Sequence, residues 1–260
     1  MKSSKVMRGL AVALGLVFTL ISTPAQAQVK TKKNMKKILF VVTSHDKKGS
    51  TGQPTGYYLS EVSHPWDVLV NAGYEIDFVS PLGGKAPVDG FNLEDPINKK
   101  FWENAVYHKK IENTLKPSQV NPNDYVAIHY AGGHGAMWDL PQNKEIAAIA
   151  AKIYENNGVV SAVCHGPAGL VDIKLSNGKY LIDGKKVNGF TNEEEVAVGL
   201  EKVVPFMLED KMIERGGIFE KSGLWQEHAV ADKRVVTGQN PQSAHAVGVS
   251  VLKELKALKK

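Results

Sequence analysis

The sequence predicts an α/β fold built on a mainly parallel sheet with helices on both faces, and three observations carry that expectation. Continuous apolar runs of strand length, such as "KILFVVTS" (37–44) and "VVSAVC" (159–164), alternate with longer segments of helical periodicity. A run without polar alternation is what a strand buried on both faces requires. The polar, glycine-rich stretches "TSHDKKGSTGQPTG", "AGGHGAMWD", "CHG" and "GFTNEEE" each follow such a run. In an open parallel sheet those positions are the carboxyl ends of strands, where ligand sites lie.

In chain order, residues 37–44 form the first expected strand. The helix over 61–73 has Trp66, Leu69 and Val70 at helical spacing and Gly73 at its C-terminal cap. "YEIDFVSP" (74–81) is the next strand, 98–115 reads as one helix, and "DYVAIHYAGG" (124–133) is a strand running into glycines. Pro141 and Asn157-Gly158 punctuate a helix over 141–158, with Asp139 as its simplest N-cap. The strand over 159–164 runs into a helix beginning at "GPAGLV". Beyond it, 185–190 and 233–240 read as strands, and 192–208 and 241–258 as helices.

The first 27 residues read differently from the rest. Lys2, Lys5 and Arg8 precede the apolar run "GLAVALGLVFTLIS", and Ala25-Gln26-Ala27 offers a small-residue cleavage site, the pattern of a cleavable signal peptide. The run is shorter than the roughly 20 residues a membrane span needs, so no stable membrane anchor is expected. Residues 28–36 then form a basic linker, residues 37–260 form one domain, and the protein is expected to be exported, periplasmic or secreted. Most of the net charge of +5 lies in the leader, and basic residues are not interleaved with aromatics along one face. Nucleic acid is therefore not an expected partner.

Only one cysteine is present, so no intramolecular disulfide can form. An unpaired thiol in an exported chain is a reactive candidate. Cys164 stands in "AVCHG", with small residues two positions to either side, as a sharp strand–nucleophile–helix turn requires. A helix N-terminus behind it would favour the thiolate. Gly132, Gly133 and Gly135 allow a loop that aims backbone N–H groups at a developing oxyanion. No Gly-Lys-[Ser/Thr] element accompanies the glycines, which argues against a phosphate loop. His45, His64, Glu61 and His134 lack ligand-type spacing, so no metal is expected.

Together, "HDKKGSTGQPTGYYLSEVSHPWDVLVNAGYEIDFVSPLGGKAPVD", "AGGHGAMWDLP", "AVCHGPAGL" and "VNGFTNEEE" resemble the ThiJ/PfpI superfamily. Within it they are similar to the branch of heat-shock chaperone-like, glutathione-independent glyoxalases (glyoxalase III). The resemblance implies a flavodoxin-like three-layer sandwich, related to class I glutamine amidotransferases, and a homodimer. It implies Cys164 as nucleophile, His165 as its imidazole partner and Glu61 as a buried carboxyl touching the thiol. The acidic third member of the triad falls by position on Glu195, with Glu193 and Glu194 beside it. The Gly133 amide and the amide after Cys164 would form the oxyanion site, with Gly132, His134 and Gly166 in the same motifs.

The implied reaction converts methylglyoxal, a small 2-oxoaldehyde, to D-lactate without a cofactor. Three other readings compete. A glutamine amidotransferase needs a late His-x-Glu pair, but valine lies two residues after both His228 and His245. A PfpI-type peptidase shares the Cys-His elbow. A holdase chaperone or protein deglycase would take unfolded or glycated proteins as partners.

Overall fold

The computed structural model describes Met1 and residues 36–258, and the architecture lies in the compact unit Met35–Lys260. Apart from Met1 and Lys36, the expected leader (1–27) and linker (28–36) lie outside the described residues. Among those described, no helix is long and apolar enough to cross a membrane.

Six strands form the central sheet: β1 (Lys37–Val41), β2 (Glu75–Val79), β3 (Tyr125–Tyr130), β4 (Val159–Val163), β5 (Ala229–Asp232) and β6 (Val235–Gly238). Their order is β2-β1-β3-β4-β6-β5, with every pairing parallel except β6 with β5. Residues 38–42 and 159–163 have no exposed surface, so the unbroken apolar runs mark the sheet's centre. Each large apolar side chain buried there contributes about 1.5–3 kcal/mol. With its flanking helices the sheet forms the expected flavodoxin-like α/β sandwich.

The helices are α1 (Leu59–Asn71), α2 (Pro96–Trp102), α3 (Ala105–Ile111), α4 (Ala136–Asp139), α5 (Lys144–Glu155), α6 (Asn192–Ala197), α7 (Leu208–Glu214) and α8 (Ala244–Ala257). Several differ from the sequence expectation for local reasons. The single helix over 98–115 is two, because Asn104 accepts from the Val106 and Tyr107 amides and starts α3 afresh. The helix over 192–208 stops after Ala197, where Gly199 turns left-handed at φ +71°. Residues 166–169 form a 3₁₀ turn rather than the start of an α-helix. The strand over 185–190 shrinks to Lys186–Val187, paired with Ile218–Phe219 outside the main sheet. Asp139 caps nothing: it accepts from Thr43 Oγ1 and the Ser44 amide, and Asn143 caps α5.

Helices α1 and α8 pack on one another at a position that excludes a side chain. A Cβ on Gly248 would stand 2.9 Å from Pro65 Cα and 3.3 Å from Val68 Cβ. A mid-helix glycine costs about 1 kcal/mol against alanine, so it is kept here for space. Gly248→Val is expected to destabilise by about 1–3 kcal/mol through overpacking. Thermal unfolding should report this as a fall of about 2–10 °C.

Candidate active site

The sheet gathers the chemistry at one edge. Gly132, Gly133 and His134 follow β3, Cys164, His165 and Gly166 follow β4, Glu61 lies in the first turn of α1, and Glu195 lies in α6. All eight residues singled out in the sequence meet there.

The turn at Cys164 is strained and tightly held. Its φ is +58°, unusual for a residue with a side chain. Its amide donates to Gly238 O at 2.9 Å, and its carbonyl accepts from Phe190 N at 2.8 Å. Gly166 follows because a Cβ there would stand 2.2 Å from the Tyr130 carbonyl oxygen. The short 3₁₀ turn behind the thiol gives no helix dipole, which corrects the expected source of thiolate stabilisation. Instead the Gly133 and His165 amides point at the sulfur and favour the thiolate. Burial and the neighbouring Glu61 carboxyl outweigh them, so the thiol is pushed well above its ordinary range.

His165 Nδ1 lies 3.3 Å from Cys164 Sγ, and its Nε2 lies 2.8 Å from Glu195 Oε2. A carboxylate can only accept, so Nε2 carries the proton and Nδ1 is free to take one from sulfur. Glu195 Oε1 meets His134 Nε2 at 3.0 Å. Burial alone would raise the Glu195 pKa, but these two imidazoles outweigh it and hold the carboxyl at about 2. Burial, with His134 nearby, lowers His165 to about 4, so its ring is neutral near pH 7.

The three consecutive glutamates have distinct placements. Glu193 is exposed and meets Lys221. Glu194 completes a capping box with Thr191 through Oε2, while its Oε1 accepts from the Trp225 amide, Gln239 and Asn240. Glu194 therefore ties the 222–226 and 239–240 loops to α6, and only Glu195 faces His165. Spacing alone did not separate the three, since facing depends on where α6 docks; the position implied by the resemblance was Glu195.

Glu61 is fully buried. Its Oε2 accepts from the Gly132 amide at 2.8 Å, its carboxyl meets the Cys164 thiol, and its Oε1 has no nitrogen or oxygen partner among the described residues. Burial is the main cause that raises its pKa to about 8, against the lowering by the thiol and the Gly132 amide. Above the thiol opens a cavity of about 360 Å³, whose walls include Lys48, Tyr58, Phe190, Leu200 and Trp225. The sequence reading did not single out these wall residues. Lys48 and Phe190 lie in loops already marked by their glycines and polar residues, while nothing in the sequence tied Leu200 or Trp225 to them.

Among the described residues, His134, His165 and Glu195 form the one group of three side chains close enough to share a metal ion. Two imidazoles and a carboxylate suit zinc. Here both Nε2 atoms are already spent on Glu195, and a cation would take the atom that fixes the tautomer of His165.

These groups set the pH dependence of stability. His165 and the buried His129 of β3 fall from 6.5 to about 4 on folding. The unfolded chain therefore binds more protons there, and stability is lost as pH drops below 6.5. Glu195, lowered from 4.5 to about 2, extends that loss to lower pH. Glu61, raised from 4.5 to about 8, has the opposite sign and loses stability as pH rises toward 8. The melting temperature is thus expected to peak near pH 6.5. Glu61→Gln should flatten the limb between pH 6.5 and 8, each uncompensated proton being worth about 1.4 kcal/mol per pH unit.

The glutathione-independent glyoxalase HSP31 of Saccharomyces cerevisiae is 35% identical over 236 residues, covering 85% of this chain and 98% of its own. The crystal structure of glyoxalase III from Candida albicans matches with a TM-score of 0.78 at 32% identity, covering 85% of this chain and 98% of that one. The rapid encystment protein of Francisella tularensis matches with a TM-score of 0.82 at 41% identity, over 85% of this chain and 99% of that one. Residues 54–254 match the model of the DJ-1/PfpI family, to which this chain belongs.

Proposed function

We propose that this protein is a glutathione-independent glyoxalase that converts methylglyoxal and water to D-lactate. The observation that carries the reading is one sulfur flanked by two different proton-carrying groups, His165 on one side and Glu61 on the other. Named glyoxalases among the relatives support it.

The reaction moves two protons within the substrate and needs no external oxidant. Cys164 Sγ attacks the aldehyde carbon while its proton passes to His165 Nδ1. The new alkoxide forms beside the Gly133 and His165 amides and takes that proton, giving a hemithioacetal. Glu61, as carboxylate, removes the remaining hydrogen of this carbon as a proton, and the electron pair shifts to the ketone oxygen to make an enediolate. Its proton then returns to the neighbouring carbon, while His165 carries the hydroxyl proton from the first oxygen to the second. One carbon is oxidised, its neighbour is reduced, and water hydrolyses the resulting lactoyl thioester.

The environments fit these roles. A carboxyl near pKa 8 can both take and return a proton close to neutral pH. A carboxylate held at about 2 cannot, and serves to orient the imidazole. The basic, apolar and small-residue run over 1–27 supports action outside the cytoplasm, in the periplasm or the medium.

The test is lactate formation from methylglyoxal without glutathione, read with a chiral assay. Wild-type protein is expected to give D-lactate, with Cys164→Ser losing at least about 10³-fold and Glu61→Gln about 10²–10⁴-fold in kcat/KM. No lactate from folded wild-type protein overturns the reading.

A further inference from the structure

Glu61 sits in a helix that cannot hold it by its own hydrogen bonds. In α1 the partner of the Glu61 carbonyl would be the amide four residues on, and that residue is Pro65. Proline has no N–H, and its ring crowds the carbonyl four residues before it. A buried carbonyl without a donor is costly, so another donor is required.

That donor comes from the sheet. His129 Nε2 lies 3.1 Å from Glu61 O, and its Nδ1 lies 3.0 Å from Ser161 Oγ. A carbonyl can only accept, so Nε2 carries the proton and Nδ1 is the acceptor facing the Ser161 hydroxyl, which has the Ile128 carbonyl as a second, longer partner at 3.3 Å. Burial keeps the ring neutral, which this tautomer needs. Phe40 covers its face with ring centroids 4.7 Å apart. His129 and Ser161 are register partners on β3 and β4, three residues before Gly132 and Cys164 respectively.

We propose that His129 is the positioning residue for Glu61: it supplies to the Glu61 carbonyl the hydrogen bond that Pro65 withholds. Glu61 is then fixed to β3 at two points, by its carbonyl through His129 and by its carboxylate through the Gly132 amide. Through Ser161 the same imidazole ties that anchorage to the strand that carries the thiol. This deepens the catalytic reading of Glu61, and it rests on Glu61 governing the proton chemistry of Cys164.

The experiment uses a readout that needs no aldehyde: the pH dependence of Cys164 alkylation by iodoacetamide, with circular dichroism to confirm folding. Wild type, Glu61→Gln, His129→Gln, His129→Asn, Pro65→Ala and the double variant Pro65→Ala/His129→Asn are compared. Gln can still reach the carbonyl, whereas Asn is too short. The His129→Asn profile is expected to move toward that of Glu61→Gln, while His129→Gln stays near wild type. The double variant should move back, because an amide at position 65 restores a donor to Glu61. Glyoxalase kcat should follow the same order, with about a tenfold loss in His129→Asn and KM changed less than twofold.

If His129→Asn alone fails to fold, folding of the double variant is the same rescue, and failure of both overturns the proposal. An unshifted His129→Asn profile, no rescue by Pro65→Ala, or identical wild-type and Glu61→Gln profiles would also overturn it. A normal set of profiles with no lactate from wild type would instead remove the glyoxalase reading and leave the positioning role standing.

Discussion

The site depends on how closely bare backbone can pass between an acid and a thiol. At Gly132 a Cβ would stand 2.6 Å from Glu61 Oε2, from His165 N and from Val163 O. No side chain fits, so the loop after β3 is pressed between the α1 carboxylate and the turn after β4. That approach lets the Gly132 amide hold Glu61 and brings the Gly133 amide to the sulfur. Gly133 itself is at φ +93°, with Gly56 O 2.2 Å from where its Cβ would be. Two adjacent glycines are therefore a geometric condition for bringing three elements within hydrogen-bonding distance.

Once assembled, the site separates two carboxyls of the same chemical type. Both Glu61 and Glu195 are buried, and burial pushes both upward. Glu195 meets two imidazoles that donate to it, while Glu61 meets one amide and a thiol whose own ionisation competes with it. Cys164 and Glu61 are one coupled acid pair, and a single negative charge between them is far cheaper than two. In the proposed reaction, bonding of sulfur to carbon ends the thiol's competition for that charge and leaves Glu61 free to ionise when the neighbouring carbon acid needs a base.

The sheet, the glycine loop and the cysteine turn were legible because their signals are local. Unbroken apolar runs, glycines at strand ends and the "AVCHG" turn state their own constraints. The resemblance supplied Glu61 and the acidic stretch, which spacing alone could not tie to a cysteine about 100 residues after the one and about 30 before the other. What escaped depends on partners distant in sequence. The β5–β6 hairpin turns through Lys233 and Arg234, both at positive φ and neither glycine nor asparagine. Tertiary contacts hold that turn instead: Arg234 stacks 4.1 Å from the Tyr154 ring and donates to Tyr154 O and Gly158 O, and Tyr154 OH donates to Lys233 O. The break between α2 and α3 was readable in Asn104, whose capping preference a purely periodic reading overlooks.

The same constraint bears on how the chain's one thiol is guarded. Cys164 is 3% exposed and His165 is 1% exposed, so attack on sulfur by a large partner is sterically poor, while the cavity above it has room for a small molecule. Protonation protects the thiol as well: with its pKa raised by burial and by Glu61, little thiolate exists until a substrate carbon is ready to accept the electron pair. Oxidation follows thiolate character and exposure, and both are held down here. A site that used a helix dipole to keep the sulfur ionised would be a faster nucleophile at rest and a more easily oxidised one. Here burial and Glu61 keep the sulfur protonated at rest, so the proposed reaction has to activate it by proton transfer at the moment of attack.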